Sequence, residues 1–207
     1  MPNHRSRISL SSSTLSALFQ NVVPAGLLQS VAVGPLPSRA QSTCWELNLP
    51  SNTSVVTKQG MVCASTLSPG DRIVACGGSR EISDVGFQTM VAPMFCIEPG
   101  VLNPSQPVTL RADQFIRITD ARALSLFGIR TALLRVGDLN GLVGIAALGV
   151  MRHVSVTLRL AVADAVFVET LWLEAVNEAN IDTDPRHLCR DESRLLLSTP
   201  LPPRGAF

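Results

Sequence analysis

The stretch Val55 to Val74 reads VVTKQGMVCASTLSPGDRIV, and its order of β-prone and turn residues decides the fold class. Val55-Val-Thr57 and Met61-Val-Cys63 flank a reversal at Lys58-Gln59-Gly60. Ser68-Pro69-Gly70-Asp71 then supplies a tight turn. Proline presets φ at its second position and glycine takes a positive φ at the third, which is type II chemistry. Arg72-Ile73-Val74 resumes the β pattern. Two strands, a polar turn and a third strand open a small all-β domain.

The same rhythm continues outward on the C-terminal side. Short apolar runs divided by Gly, Pro and Asn predict strands at Ser54–Thr57, Met61–Ala64, Arg72–Cys76, Thr89–Pro93, Val108–Leu110, Phe115–Ile118, Ala132–Val136, His153–Leu160 and Ala165–Val168. The run from His153 alternates, so Val154, Val156, Leu158 and Leu160 are expected inward, with Ser155, Thr157 and Arg159 outward. Gly141 to Val150, GLVGIAALGV, is apolar and glycine-rich and is expected at a barrel corner. Three regions follow: an extension over 1–45, a β domain over 46–176 and a polar tail over 177–207. In the extension, Ser11 to Thr14 can cap a short helix through Leu15, Leu18 and Phe19. Gln20, Asn21, Pro24 and Gln29 interrupt it, so it makes neither a signal h-region nor a span of about 20 apolar residues. In the tail, a short helix between Pro185 and Leu197 fits the pattern, ahead of a disordered end.

Composition narrows the function classes. The chain has 207 residues, enough for one domain with extensions, and a net charge of +1. That balance argues against a nucleic-acid partner, and the absence of tyrosine weakens base stacking further. Every basic residue except Lys58 is arginine, as expected of a GC-rich bacterial genome. Cys44, Cys63, Cys76, Cys96 and Cys189 form no C-x-x-C pair and have no histidines at zinc spacing, so neither a metal site nor a disulfide framework is expected. Reduced thiols are expected, which favours a bacterial cytoplasm over secretion. Asp182, Asp184, Asp191 and Glu192 lack the glycine bend of a calcium loop and read as a solvated face. Cys76-Gly-Gly78 is a turn without the ending of a phosphate loop. No cofactor is expected.

Three blocks between Leu47 and Ala175 carry a resemblance. The first is Val55 to Gly60 with Leu67-Ser-Pro-Gly-Asp-Arg-Ile-Val74. The second is Val108 to Thr119 with Ala121-Arg-Ala-Leu-Ser-Leu-Phe-Gly128 and Thr131-Ala-Leu-Leu134. The third is His153 to Leu160 with Ala165-Val-Phe-Val-Glu-Thr-Leu-Trp-Leu-Glu174. Together they resemble the Hint (Hedgehog/intein) domains, in the bacterial subtype common in alphaproteobacteria. The resemblance implies a compact β horseshoe that processes its own chain. A Cys or Ser at the domain's first position attacks the preceding carbonyl, and a histidine of the second block protonates the departing nitrogen.

The three matching chemical positions differ from that pattern. The nucleophile's place falls on Asn48, the histidine's on Phe115 and a third-block histidine's on Ala163. An amide, a phenyl and a methyl group cannot perform the steps. The first expectation is therefore a degenerate Hint module, not an enzyme, that acts through an unidentified protein partner. The second is an active domain using Cys44 as nucleophile and His153 as acid, cutting at Thr43–Cys44. Against it, Cys44 has no basic sequence neighbour, and strand-edge hydrogen bonding would account for His153. The third is an unrelated small β-barrel binding module.

Overall fold

The computed structural model describes residues 44–102, 104–177 and 185–199. The expected helix through Leu15, Leu18 and Phe19, and the residues Asp182 and Asp184, lie outside the described residues. The fold is all-β with little helix. In chain order it comprises β1 (Trp45–Pro50), β2 (Ser54–Thr57), β3 (Gly60–Cys63), β4 (Arg72–Ala75), β5 (Gly78–Ile97), β6 (Val108–Arg111) and β7 (Phe115–Thr119). Then come α1 (Ala121–Phe127), β8 (Thr131–Arg135), β9 (Ile145–Leu160), β10 (Ala165–Val168), β11 (Leu171–Glu174), β12 (Arg186–Leu188) and α2 (Arg190–Ser198).

The opening turns form for the reasons their residues suggest. In the β2–β3 hairpin the Thr57 hydroxyl donates to Gly60 O at 2.8 Å and accepts from Gln59 N at 3.1 Å. In the proline turn Gly70 has φ +92°, and Asp71 N donates to Ser68 O at 3.1 Å. The turn is then sewn to β5, because Gly70 N reaches Ile82 O at 2.8 Å and Ile82 N reaches Asp71 O at 2.9 Å.

The strands run in the order β1-β9-β5-β4-β2-β10-β11-β7-β8-β12, with β3 on β2 and β6 on β5. The β5–β9 ladder runs from Ile82↔Leu160 to Ile97↔Ile145, much longer than the two runs expected from sequence. Pro93 and Gly149 conceal it. Pro93 has no N–H to give, and its carbonyl accepts from Ala112 N at 3.0 Å on the side away from β9. Gly149, at φ +83°, sits at the register shift beside Met94. The second half of GLVGIAALGV is thus strand, and the corner lies earlier, at Gly144 with φ +80°.

Burial also departs from simple alternation. Val156, Leu158 and Leu160 are in the core, but Val154 is 45% exposed because β1 ends opposite Ser155. Ser155 and Thr157, expected outward, are buried. Consecutive buried residues on a pleated strand mean both faces are covered there, and both hydroxyls hydrogen-bond to β1. The strand β1 itself was hidden by its Glu, Asn and Pro, which flank the buried Leu47 and Leu49. Beyond residue 176, β12 pairs in parallel with β8, and α2 buries Leu196 and Ser193. The helix begins inside the Pro185–Leu197 window that the sequence allowed and runs one residue past it, to Ser198, in a segment whose composition reads as a tail.

Leu158 is fully buried and faces Leu47 on β1 and Val85 on β5. Leu158→Ala is expected to cost about 2–5 kcal/mol in urea unfolding, whereas Val154→Ala should change stability by less than about 1 kcal/mol.

Candidate functional site

The segment from Glu174 to Val176 is tied to β1, to β7 and the residue before it, and to the turn before β10. Val176 exchanges two backbone hydrogen bonds with Glu46, of 2.8 and 2.9 Å, two residues from Asn48. Ala175 N donates to Asp164 O at 3.1 Å, and Gln114 Nε2 lies 3.5 Å from Glu174 O. The Glu174 carboxylate takes two hydrogen bonds from Arg117, both 2.7 Å, from Nε and from a terminal nitrogen. Burial opposes the charge on Arg117, but Glu174 and then Cys76 outweigh it and raise its pKa. β7 and β11 set this pair up directly, because Trp172 stands opposite Arg117 and side chains two apart share a face.

The expected chemical positions lie around this junction. Asn48 sits on β1, and its Oδ1 accepts from the Thr157 hydroxyl at 2.6 Å. Phe115 opens β7, and its ring meets His187 with centroids 4.5 Å apart and planes at 32°. Ala163 is exposed, while Asp164 beside it is buried. The Asp164 carboxylate accepts from Gly77 N at 3.1 Å, Arg80 Nε at 2.7 Å and Ala165 N at 2.9 Å. A Cβ added at Gly77 would crowd the end of the Arg80 side chain and come within 2.8 Å of Asp164 Oδ2, so a larger residue there would have to displace this pair. The third block thus contributes a carboxylate that organises a turn.

The fallback residues are not brought together as a catalytic pair. Among the described residues Cys44 has no hydrogen-bond partner, and none joins it to a histidine. His153 lies within β9 opposite Met90, and both ring nitrogens are buried without hydrogen bonds, contrary to the strand-edge bonding expected of it. Cys63, expected in the core, is half-buried and donates to Ser51 O at 2.9 Å. The thiol of Cys96 is pushed up by burial and then by Glu98. His187 was missed, because the signal that placed it, a β12 pairing with β8, is carried by three residues in polar surroundings.

A groove of about 950 Å³ opens beside the Arg117 pair, lined by Val101, Ile116, Ile118, Leu142, Trp172 and Leu197. At its rim Arg122 chelates Asp120, with contacts from 2.6 to 3.1 Å, and donates to Thr199 O at 2.9 Å. Among the described residues no group of three His, Cys, Asp or Glu side chains could hold a metal ion. No described helix is long and apolar enough to cross a membrane.

No family model matches the chain, and no curated protein matches it. Solved structures that are similar include inteins. The gp41-1 intein is 13% identical, covering 63% of this chain and 99% of its own, with a TM-score of 0.44. The MchDnaB-1 intein is 12% identical over 62% of this chain and 99% of its own, with a TM-score of 0.36. The Msm DnaB1 intein splicing domain, solved bound with zinc, is 15% identical over 57% and 85%, with a TM-score of 0.31.

Two outcomes follow from the ion pairs. Arg117→Met leaves the Glu174 carboxylate buried and unpaired and is expected to cost about 3 kcal/mol. Adding Glu174→Leu should recover most of that loss in urea unfolding. The side chain of Arg122 holds Asp120 below its ordinary value, against the opposing effect of burial. A carboxylate depressed in the folded state contributes stability above its unfolded pKa and loses it as pH falls through the folded one. The thermal midpoint should therefore drop on acidification below pH 3.8, the ordinary value for this group. Asp120→Asn should flatten that part of the profile.

Proposed function

We propose that this chain is a Hint-like module that has lost self-cleavage and acts without catalysis, through contact with another protein. The observation that carries the reading is the substitution of all three chemical positions, by Asn48, Phe115 and Ala163. It is supported by the role each neighbourhood has taken on. Asn48 is spent on a hydrogen bond to Thr157, Phe115 on a ring contact with His187, and the residue after Ala163 on a turn. An amide already accepting a hydrogen bond is no nucleophile, and a phenyl ring carries no proton to transfer. The matching blocks fall on β2 to β4, β6 to β8 and β9 to β11, the strands that the resemblance assigns to the scaffold. Five unpaired thiols favour a reducing bacterial cytoplasm over export.

The test is the intact mass of the full chain carrying a tag at each end, followed for a day with and without added thiol. One uncleaved mass, unchanged by thiol, is expected. Fragments breaking at Thr43–Cys44 and abolished by Cys44→Ala would overturn the proposal and restore an active domain.

A further inference from the structure

The dipeptide Asn140-Gly141 occurs once in the chain. Each other asparagine precedes a residue with a side chain: His, Val, Leu, Thr, Pro, Glu or Ile. An asparagine carboxamide stands one bond-forming step from the backbone nitrogen that follows it, because closure gives a five-membered imide. A side chain on the next residue shields that nitrogen, and glycine leaves it open.

The fold holds this dipeptide in an exposed turn. The short 3-10 helix Val136–Leu139 ends at Asn140, with φ −54° and ψ 130°, and Gly141 follows at φ +88°. Leu142 N donates to Leu139 O at 3.2 Å and closes the reversal. These are the angles of a type II turn, whose central amide makes no bond within the turn. Both residues are exposed. Among the described residues neither the Asn140 carboxamide nor Gly141 N has a hydrogen-bond partner.

A cation stands beside the turn. Leu139 is fully buried in the same core as Leu196 of α2, which brings Arg194 alongside. A Cβ placed on Gly141 would lie 3.7 Å from a terminal nitrogen of Arg194. Arg194 is half-buried and pairs with no carboxylate among the described residues. Its charge favours an anion at Gly141 N, and the negative oxygen that forms when that nitrogen adds to the carboxamide.

We infer that Asn140–Gly141 is a site of spontaneous modification, where water converts Asn140 to aspartate and isoaspartate and Arg194 promotes the change. The ψ of Asn140 swings from its extended value to bring Gly141 N onto Cγ, and the exposed turn leaves room for that motion. Gly141 N gives up its proton and attacks Asn140 Cγ. The new Cγ–N bond closes the imide, the Cγ–Nδ2 bond breaks, and Nδ2 departs with that proton as ammonia. Water then opens the imide at either carbonyl. Attack at the Cγ carbonyl restores the backbone with an aspartate, and attack at the α carbonyl routes the backbone through Cγ as isoaspartate. Either product sets a carboxylate beside a cation that lacked one, and takes the formal net charge from +1 to zero. Isoaspartate also adds a carbon to the main chain in the turn that leads to Leu142 on the groove wall. This inference is independent of whether the chain cleaves itself.

The experiment incubates the full chain for weeks at mildly alkaline pH and body temperature, folded and in urea. Ion exchange separates the acidic forms, and peptide mass mapping locates the change. An isoaspartyl methyltransferase with a labelled methyl donor measures isoaspartate. One modified position is expected, Asn140, carrying oxygen in place of an NH group. It should be lost in Asn140→Gln, whose longer side chain would have to close a six-membered ring. Arg194→Met should slow the reaction of the folded chain roughly fivefold, the scale of one half-exposed charge interaction. Arg194→Lys should keep the rate, and neither variant should matter in urea, where α2 is unfolded. A chain that keeps Asn140 intact, or loses other side-chain amides as fast, would overturn the inference. So would an Arg194→Met chain modified at the unaltered rate. The mapping uses the unaltered chain and decides the site even where a variant fails to fold.

Discussion

The double pairing of β9 is the constraint on which the rest depends. Over Ser155 to Leu160 one strand is bonded to β1 on one edge and to β5 on the other. Leu47, Leu49, Ile82, Val156, Leu158 and Leu160 are all fully buried as a result. Arg159 marks the same junction outside, with Nε 2.9 Å from Glu46 on β1 and a terminal nitrogen 2.6 Å from Asp84 on β5. That triad is half-exposed and contributes little beside the burial beneath it. Where β1 stops, the cover stops, and the continuing β5–β9 ribbon carries apolar side chains into solvent. The closed core and the open edge are two ends of one strand.

A second consequence is the junction at Glu174 to Val176. β1 can bridge to Val176 only because β9 fixes it, and β11 brings Glu174 to Arg117 only because β7 lies alongside. Polar groups there are spent on one another: Asn48 on Thr157, Arg117 on Glu174, Asp164 on Arg80 and two backbone amides. Mutual satisfaction of this kind makes a rigid junction. Away from the junction, both ring nitrogens of His153, Arg111 Nε and Glu169 Oε2 are buried among the described residues without a hydrogen-bond partner.

Much of the fold was legible because short-range chemistry decided it. Val55 to Val74 contains its own turn residues, and Gly70 adopts the positive φ that the proline turn requires. What was not legible depended on partners distant in sequence. Pro93 reads as a strand breaker until Ala112 is seen taking its carbonyl, and Ser155 and Thr157 read as solvent-facing until β1 covers them. His187 lies among charged residues, and only a parallel pairing with β8 places its ring against Phe115. The candidate positions Asn48 and Phe115 could be found from the resemblance, but their present partners could not.

An acyl shift at the start of such a domain leaves the mass unchanged, because the peptide and its ester or thioester are isomers. The most direct measurement is therefore brief hydroxylamine trapping at neutral pH on the folded, doubly tagged chain, read by mass, since under those conditions hydroxylamine cleaves an ester or thioester and leaves amides intact, the sensitive Asn140–Gly141 bond included. The expected result is a single intact species before and after treatment. Hydroxylamine-dependent release of the segment ending at Thr43, or of one ending at Leu47, would contradict the loss of self-processing.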